Sequence, residues 1–208
     1  MTDASPTESA LRDLYGAPGA LPAKAVAGRL EEHARRFISL SPLVVVASTG
    51  ADGHIDVSPR GDAPGFVDVR DDTTLVIPDR RGNNKIDTLR NVAGQPKVGL
   101  MFVIPGIEEV LRLRGTSRIT VDPGELARHA VDGKAPRSAL IVTVETVFPH
   151  CGKAFRRARL WDEEAKLDRK RDGVPSLAQI ALAMAGMDDV SVTETDVRIE
   201  QDYRENLY

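Results

Sequence analysis

Two short segments concentrate the side chains able to do chemistry. They are Ser58-Pro59-Arg60-Gly61-Asp62-Ala63-Pro64-Gly65-Phe66 and Ile77-Pro78-Asp79-Arg80-Arg81-Gly82-Asn83-Asn84-Lys85. The second places Arg80, Arg81 and Lys85 between a strand and a helix that the pattern starts near Asn84, so helix N-terminal amides and cations converge on one spot. Such a spot holds a phosphate. The competing reading is a solvated turn in which Gly82 takes positive φ and Asn83 caps the helix. In the first segment, Arg60 and Asp62 flank Gly61, and the plain reading is a loop held by an Arg to Asp ion pair of little worth. Arg112 and Arg114 alternate with Leu111 and Leu113, which puts both guanidinium groups on one face of a strand. Two cations side by side want an anion, either a ligand or Glu108, Glu109 or Asp122.

Other constellations are poorer. The four histidines (His33, His54, His129, His150) are scattered and Cys151 is the sole cysteine, so neither a zinc cluster nor a metalloprotease pair is expected, and no metal is assigned. No G-x-S-x-G occurs. Gly133-Lys134 fails as a phosphate loop, because Arg128 stands at the first glycine position and Ala135 at that of the Ser or Thr. His150-Cys151 reads as a buried inert thiol in preference to a nucleophile. Trp161 reads as a core or interface anchor, with a lid over a planar ring as the functional alternative. Lys153, Arg156, Arg157 and Arg159 read as the solvated face of a helix.

The elements that position these residues follow from periodicity. Apolar spacing predicts a helix between Ala23 and Leu40 and a weaker one over Glu8 to Tyr15. From Leu43 the pattern alternates: LVVVAST, a turn at Asp52-Gly53 and HIDVS make a hairpin. Phe66 to Val69 with Thr74 to Ile77 make a second, and KVGLMFVIP with EEVLRLRGTSRITV a third around Pro105-Gly106. SALIVTVETVF adds a seventh strand. Short helices are expected at Asn84 to Val92 and at Asp122 to Val131, the latter opened by Asp-Pro. KAFRRARLW, DEEAKLDRKRD, PSLAQIALAMAG and the last sixteen residues turn helical again. The expectation is one α+β domain over 1–208: a helical extension (1–40), an antiparallel seven-stranded barrel (43–148) closed to remove its edges, and a second helical extension (150–208).

Composition narrows the function. With 208 residues, 41% hydrophobic and 28% charged, the chain has enough length and apolar content for a packed core. A net charge of -3 gives no bulk basic field for nucleic acid. The stretch MTDASPTESALRDLYG lacks a basic-then-apolar signal, and the longest mainly apolar run, Val174 to Met187, is too short to span a bilayer. With a single cysteine, the expected location is the cytoplasm.

With both segments in hand, the stretch from Leu43 to Thr120 resembles the FMN-binding split barrel of the pyridoxamine 5'-phosphate oxidase-like family. It is most similar to a bacterial branch carrying S-P-R-G-D-x-P-G-F and I-P-D-R-x-G-N-N, with H-C-x-K-A-F further on, here His150 to Phe155. The resemblance implies a homodimer with FMN in a groove between two barrels and a flavin-dependent oxidoreductase with a small-molecule substrate. It puts the family's phosphate lysine on Lys85. The neighbouring arginine of the family falls on Asn84 and that of the first strand on Ser58, while Arg60, Arg80, Arg81 and Asn83 are the nearby replacements. Ile77, Pro78 and Asp79 occupy the position whose backbone faces the flavin ring, and Arg112 matches an arginine of the family's V-R-I-E-G strand. Trp161 is the candidate ring contact, and no side chain is named as catalytic. The vitamin B6 oxidases proper carry a C-terminal W-R-x-x-R-L-x-P segment that this chain lacks. The alternatives are the deazaflavin F420 in the same groove, or a non-catalytic flavin or haem carrier.

Overall fold

The computed structural model describes residues 5–208. The first four residues of the stretch read for a targeting signal lie outside it. Helices α1 (Glu8–Tyr15), α2 (Ala20–Lys24) and α3 (Glu32–Leu40) precede strands β1 (Leu43–Thr49), β2 (Ile55–Gly61), β3 (Asp68–Val69) and β4 (Thr74–Pro78). Helix α4 (Asp87–Gly94), β5 (Lys97–Val103), β6 (Val110–Thr120), α5 (Pro123–Ala127) and β7 (Ala139–His150) follow. The chain closes with α6 (Lys153–Ala158), α7 (Leu177–Ala185) and α8 (Val192–Glu205).

All seven strands form one antiparallel sheet in the order β2-β1-β5-β6-β7-β4-β3. The alternating runs become strands because one face is buried: in β1, Val44 and Val46 are fully covered while Val45 and Ala47 are half-buried. The turn residues do what their types allow. Gly53 and Gly106 both take φ 83° at the hairpin tips, a conformation that costs a glycine nothing.

The expected ring of strands is not closed by backbone hydrogen bonds. β2 is one edge of the sheet, and β4 with its two-residue partner β3 is the other. Curvature brings these ends together, and side chains join them. Helix α4, which follows β4 in the chain, packs on the other edge, where Thr88 Oγ1 donates to Asp56 Oδ2 on β2 (3.0 Å) and Asn91 Nδ2 to Ser48 Oγ on β1 (3.1 Å). Val92 of α4 joins Phe102, Leu113, Leu75, Val142 and Ile38 in the core enclosed by the sheet. This is a split barrel.

The helix expected from Ala23 to Leu40 is two helices. Between them Ala27 pairs with Val147 as a β-bridge, and the Leu30 amide donates to the Asp72 carbonyl (2.7 Å). Leu30 and Ile38 are both core residues, so their spacing reported burial and not a continuous helix. Likewise, DEEAKLDRKRD yields only a 3-10 turn over Glu163–Ala165. Asp122 does cap α5, accepting from the Glu125 amide at 2.8 Å with Pro at the first turn.

A candidate cofactor site at the barrel seam

The two chemically dense segments meet. β2 ends with Arg60 and Gly61, the Asp62 amide continues the ladder to the Pro42 carbonyl (3.1 Å), and the Asp79 amide just beyond β4 donates to the Ser138 carbonyl (2.9 Å). Each segment therefore leaves a sheet edge at the seam. Arg60 Nη1 contacts Asp79 Oδ1 at 2.5 Å, and Arg80 Nε contacts Asp62 Oδ2 at 2.6 Å. The pairs are crossed: the Arg-Gly-Asp of one strand end meets the Asp-Arg of the other. Arg60 and Asp62 do not pair within their own loop, since both aim across the seam.

The Asp62–Arg80 pair is reinforced. Its carboxylate is only 3% exposed, Tyr208 Oη donates to Oδ1 (2.7 Å), and the Ala63 amide donates to the same oxygen (2.7 Å). Arg80 Nη1 donates to the His129 carbonyl (2.7 Å), and its guanidinium lies 5.6 Å from the Tyr208 ring centroid. Burial alone would push the Asp62 carboxyl up. The hydrogen bonds from Tyr208 and Ala63 and the Arg80 charge outweigh it and hold the carboxyl below its ordinary value.

Beyond the crossed pairs runs an exposed loop, Arg81 to Ile86, leading into α4. Asn84, not Gly82, takes the left-handed turn (φ 60°), and α4 begins at Asp87, three residues later than the pattern suggested. Asn83 Oδ1 accepts from the Lys85 amide (3.0 Å) and does not cap the helix. The α4 N-cap is Ile86, which offers no side-chain acceptor. Among the described residues, the amides of Arg80 to Asn84 and of Ile86 have no protein acceptor. Lys85 is three-quarters exposed and rests 3.1 Å from Asp87 Oδ2, while Arg81 is exposed with no ion pair among the described residues. Amide donors without acceptors, an uncapped helix start and two reachable cations fit a phosphate group.

The remaining candidates divide. Ser58 lies on β2 opposite Val46, on the same face as Arg60 and the core. Arg60 Nε is buried without a hydrogen-bond partner, a donor that a bound group can satisfy. Ile77 and Pro78 are buried and paired with Leu140 and Ala139. Pro78 lacks an amide and that of Asp79 is already engaged, so donors for a ring edge come from the loop beyond. Trp161 is half-buried; its Nε1 donates to the Ile107 carbonyl (2.9 Å) and its ring packs 6.0 Å from that of Phe155. Arg112 lies on the opposite face of the sheet from Arg60 and three strands away, roughly 14 Å at the usual strand spacing. Of the anions expected for Arg112 and Arg114, Glu108 pairs with Arg156, Asp122 caps α5 and Glu109 forms no ion pair with either arginine, while both guanidinium groups approach the Phe148 ring (5.0 and 5.5 Å). Cys151, read as buried, is exposed. Sequence reasoning paired Asp62 with Arg60 in place of Arg80 and missed Tyr208 and the His129 carbonyl; only proximity across 146 residues reveals the tyrosine.

These elements define a split barrel with an exposed cationic loop at its seam. The family model described as pyridoxamine 5'-phosphate oxidase matches residues 30–151, and the chain belongs to that family. Among solved structures, the chain is similar to a HupZ variant of Group A Streptococcus (20% identity, 58% of this chain and 99% of that one, TM-score 0.47). It is also similar to a protein from Clostridium acetobutylicum related to general stress protein 26, of the pyridoxinephosphate oxidase family (18%, 57% and 87%, 0.41). A third is the haem storage protein HutZ of Vibrio cholerae (12%, 58% and 95%, 0.42). No curated protein matches the chain. Among the described residues, no helix is long and apolar enough to cross a membrane.

Proposed function

We propose that this protein is an FMN-dependent oxidoreductase acting on a small molecule, a cytoplasmic homodimer with its flavin at the barrel seam. The observation that carries this reading is the Asp79–Ile86 loop, whose exposed cations, unpaired amides and uncapped helix start form a cradle for a phosphate monoester. FMN, when bound, supplies flavin N5 as the atom that gives or takes a hydride. The chain binds and orients. Lys85 and Arg81 hold the phosphate with the loop amides, and Ser58, Asn83 and Asn84 add neutral donors. Arg60 offers its buried Nε while Asp79 fixes its fork. Asp62, itself held by Tyr208, fixes Arg80 at the start of the loop before any ligand arrives. Trp161, anchored at Ile107, serves as a wall for the ring.

A second copy is proposed because apolar surface remains uncovered. Leu30 and Phe37 pack into this chain's own core, but Val26, Leu14 and Leu21 of the N-terminal segment and Ile55 and Val57 of β2 are more than half exposed.

Two measurements test the reading. The purified protein is expected to be yellow and to release FMN rather than FAD on denaturation, because the loop suits a terminal phosphate and the sequence has no G-x-G-x-x-G to cradle a pyrophosphate. Colourless protein that fails to bind added FMN sinks the cofactor, and a deazaflavin or haem spectrum replaces it. Reductive and oxidative half-reactions of the holoprotein then separate an enzyme from a carrier.

A further inference from the structure

Tyr208 touches both sides of the split in the barrel. Its hydroxyl donates to Asp62 Oδ1 beyond β2 (2.7 Å), and its ring lies 5.6 Å from the guanidinium of Arg80 beyond β4. A third segment joins from the turn after α5, where Lys134 Nζ donates to the Tyr208 carbonyl (3.3 Å). The tyrosine thus rests on the residue whose amide begins the run from Arg80 to Asn84 that has no protein acceptor among the described residues. A hydroxyl given to an ionised carboxylate that is 3% exposed is a charge-assisted bond, and the guanidinium near the ring adds attraction.

The helices that lead to Tyr208 are held by little else. Among the described residues, every hydrogen bond and ion pair made by residues 176–207 stays within that stretch. Helix α8 buries no residue and α7 buries only Ala178, while Val197, Tyr203 and Leu207 are more than half exposed. At the other end, Trp161 is pinned to the Ile107 carbonyl (2.9 Å), and a mostly exposed connection, 162–175, with Gly173 at φ 65°, runs from there to α7. Sparse burial and few outward bonds make local opening cheap.

We infer that the α7–α8 hairpin is a strap beside the cofactor seam and that Tyr208 is its latch, so that ligand enters and leaves while the tyrosine is off Asp62 and Arg80. The connection 162–175 is the hinge. The Asp62–Arg80 pair survives the departure, because Arg80 keeps Asp62 Oδ2 and the His129 carbonyl. What departs is the cover on the Arg80 guanidinium and one of the two hydrogen bonds given to Asp62 Oδ1. The adjoining loop amides are then open to an incoming anion, and return of the tyrosine excludes water from the pair again. A strap on one path governs both directions. It sets the rates of exchange and not the affinity, since a ligand that does not touch it gains nothing from either state. This inference rests on the cofactor proposed for this seam, but the latch is judged with no ligand present.

The first measurement is amide hydrogen exchange across α7 and α8 of the ligand-free protein, with circular dichroism as the control for folding. Exchange is expected to be at least about fivefold faster in Tyr208→Ala than in the wild type, with Tyr208→Phe between them because its ring stays on Arg80. Equal exchange in all three proteins overturns the latch, whether or not FMN binds. The second follows FMN fluorescence during binding and release. Tyr208→Ala is expected to raise the association and dissociation rate constants together, each at least about fivefold, and to leave Kd within about threefold. A Kd that rises through dissociation alone would make Tyr208 a support of the bound state and sink the gate. A protein that binds no FMN removes the cofactor reading, and the exchange result then decides the latch by itself.

Discussion

Lys85 separates a phosphate ligand from a surface lysine. Among the described residues its only ion-pair contact is the half-buried Asp87; with Lys85 three-quarters exposed the pairing is worth little in water, so its ammonium is free to turn to a stronger anion. If it contacts the phosphate of FMN, Lys85→Ala removes a charge-assisted bond worth about 1.5–3 kcal/mol, and the FMN dissociation constant rises roughly 10- to 150-fold. Arg80 cannot substitute, being locked to Asp62 and the His129 carbonyl; Arg81 can, and pulls the effect toward the lower end. Riboflavin, lacking the phosphate, is the control: its affinity should hardly change, and equal weakening of both ligands would remove the phosphate assignment. Legibility at this scale follows sequence distance. The loop from Asp79 to Lys85 announces itself as one run of cations and turn formers, whereas the Arg60–Asp79 and Asp62–Arg80 pairs join residues 19 and 18 positions apart and cannot be matched until the sheet curls.

Strands were the more readable elements because their alternation has one physical source, a single buried face. Helix signals were less secure, since Leu30 and Ile38 satisfy helical spacing while a β-bridge at Ala27 interrupts the helix between them. The β6–β7 pair shows a feature that no periodicity encodes. At the register shift between Arg114 and Gly115, a Cβ on Gly115 would lie 2.1 Å from the Thr143 carbonyl oxygen. Gly115→Ala must therefore push two central strands apart, and a loss of about 3 kcal/mol is expected, the upper end of overpacking costs. Gly82 is the comparison, with nothing within 4 Å of its Cβ position and an ordinary φ, so Gly82→Ala should stay within about 0.5 kcal/mol. Urea midpoints for both variants decide the matter, and equal stabilities would show that the strands yield freely at the bulge.

At the scale of the molecule, the barrel is held shut at its seam by charge as well as by α4, and charge titrates. The Asp62 carboxyl is pushed up by burial but held lower overall by Tyr208, the Ala63 amide and Arg80. Its folded value thus lies below its ordinary 3.8, so the unfolded chain takes up this proton first as acid is added. The stability Asp62 contributes is complete above about pH 4–5 and is lost as pH falls through the folded value. Glu125, half-buried yet held down by Arg70 and His129, has the same sign, so acid sensitivity of the wild type alone identifies neither group. The difference between wild type and Asp62→Asn does, because Glu125 is common to both proteins and cancels. That difference in unfolding free energy, measured by urea titration, should be constant from about pH 5 to 8 and shrink steadily below pH 4 as wild-type Asp62 becomes protonated. A difference that stays constant down to pH 2 would mean that the ionised carboxylate adds nothing at the seam, leaving α4 and the core to keep the barrel closed.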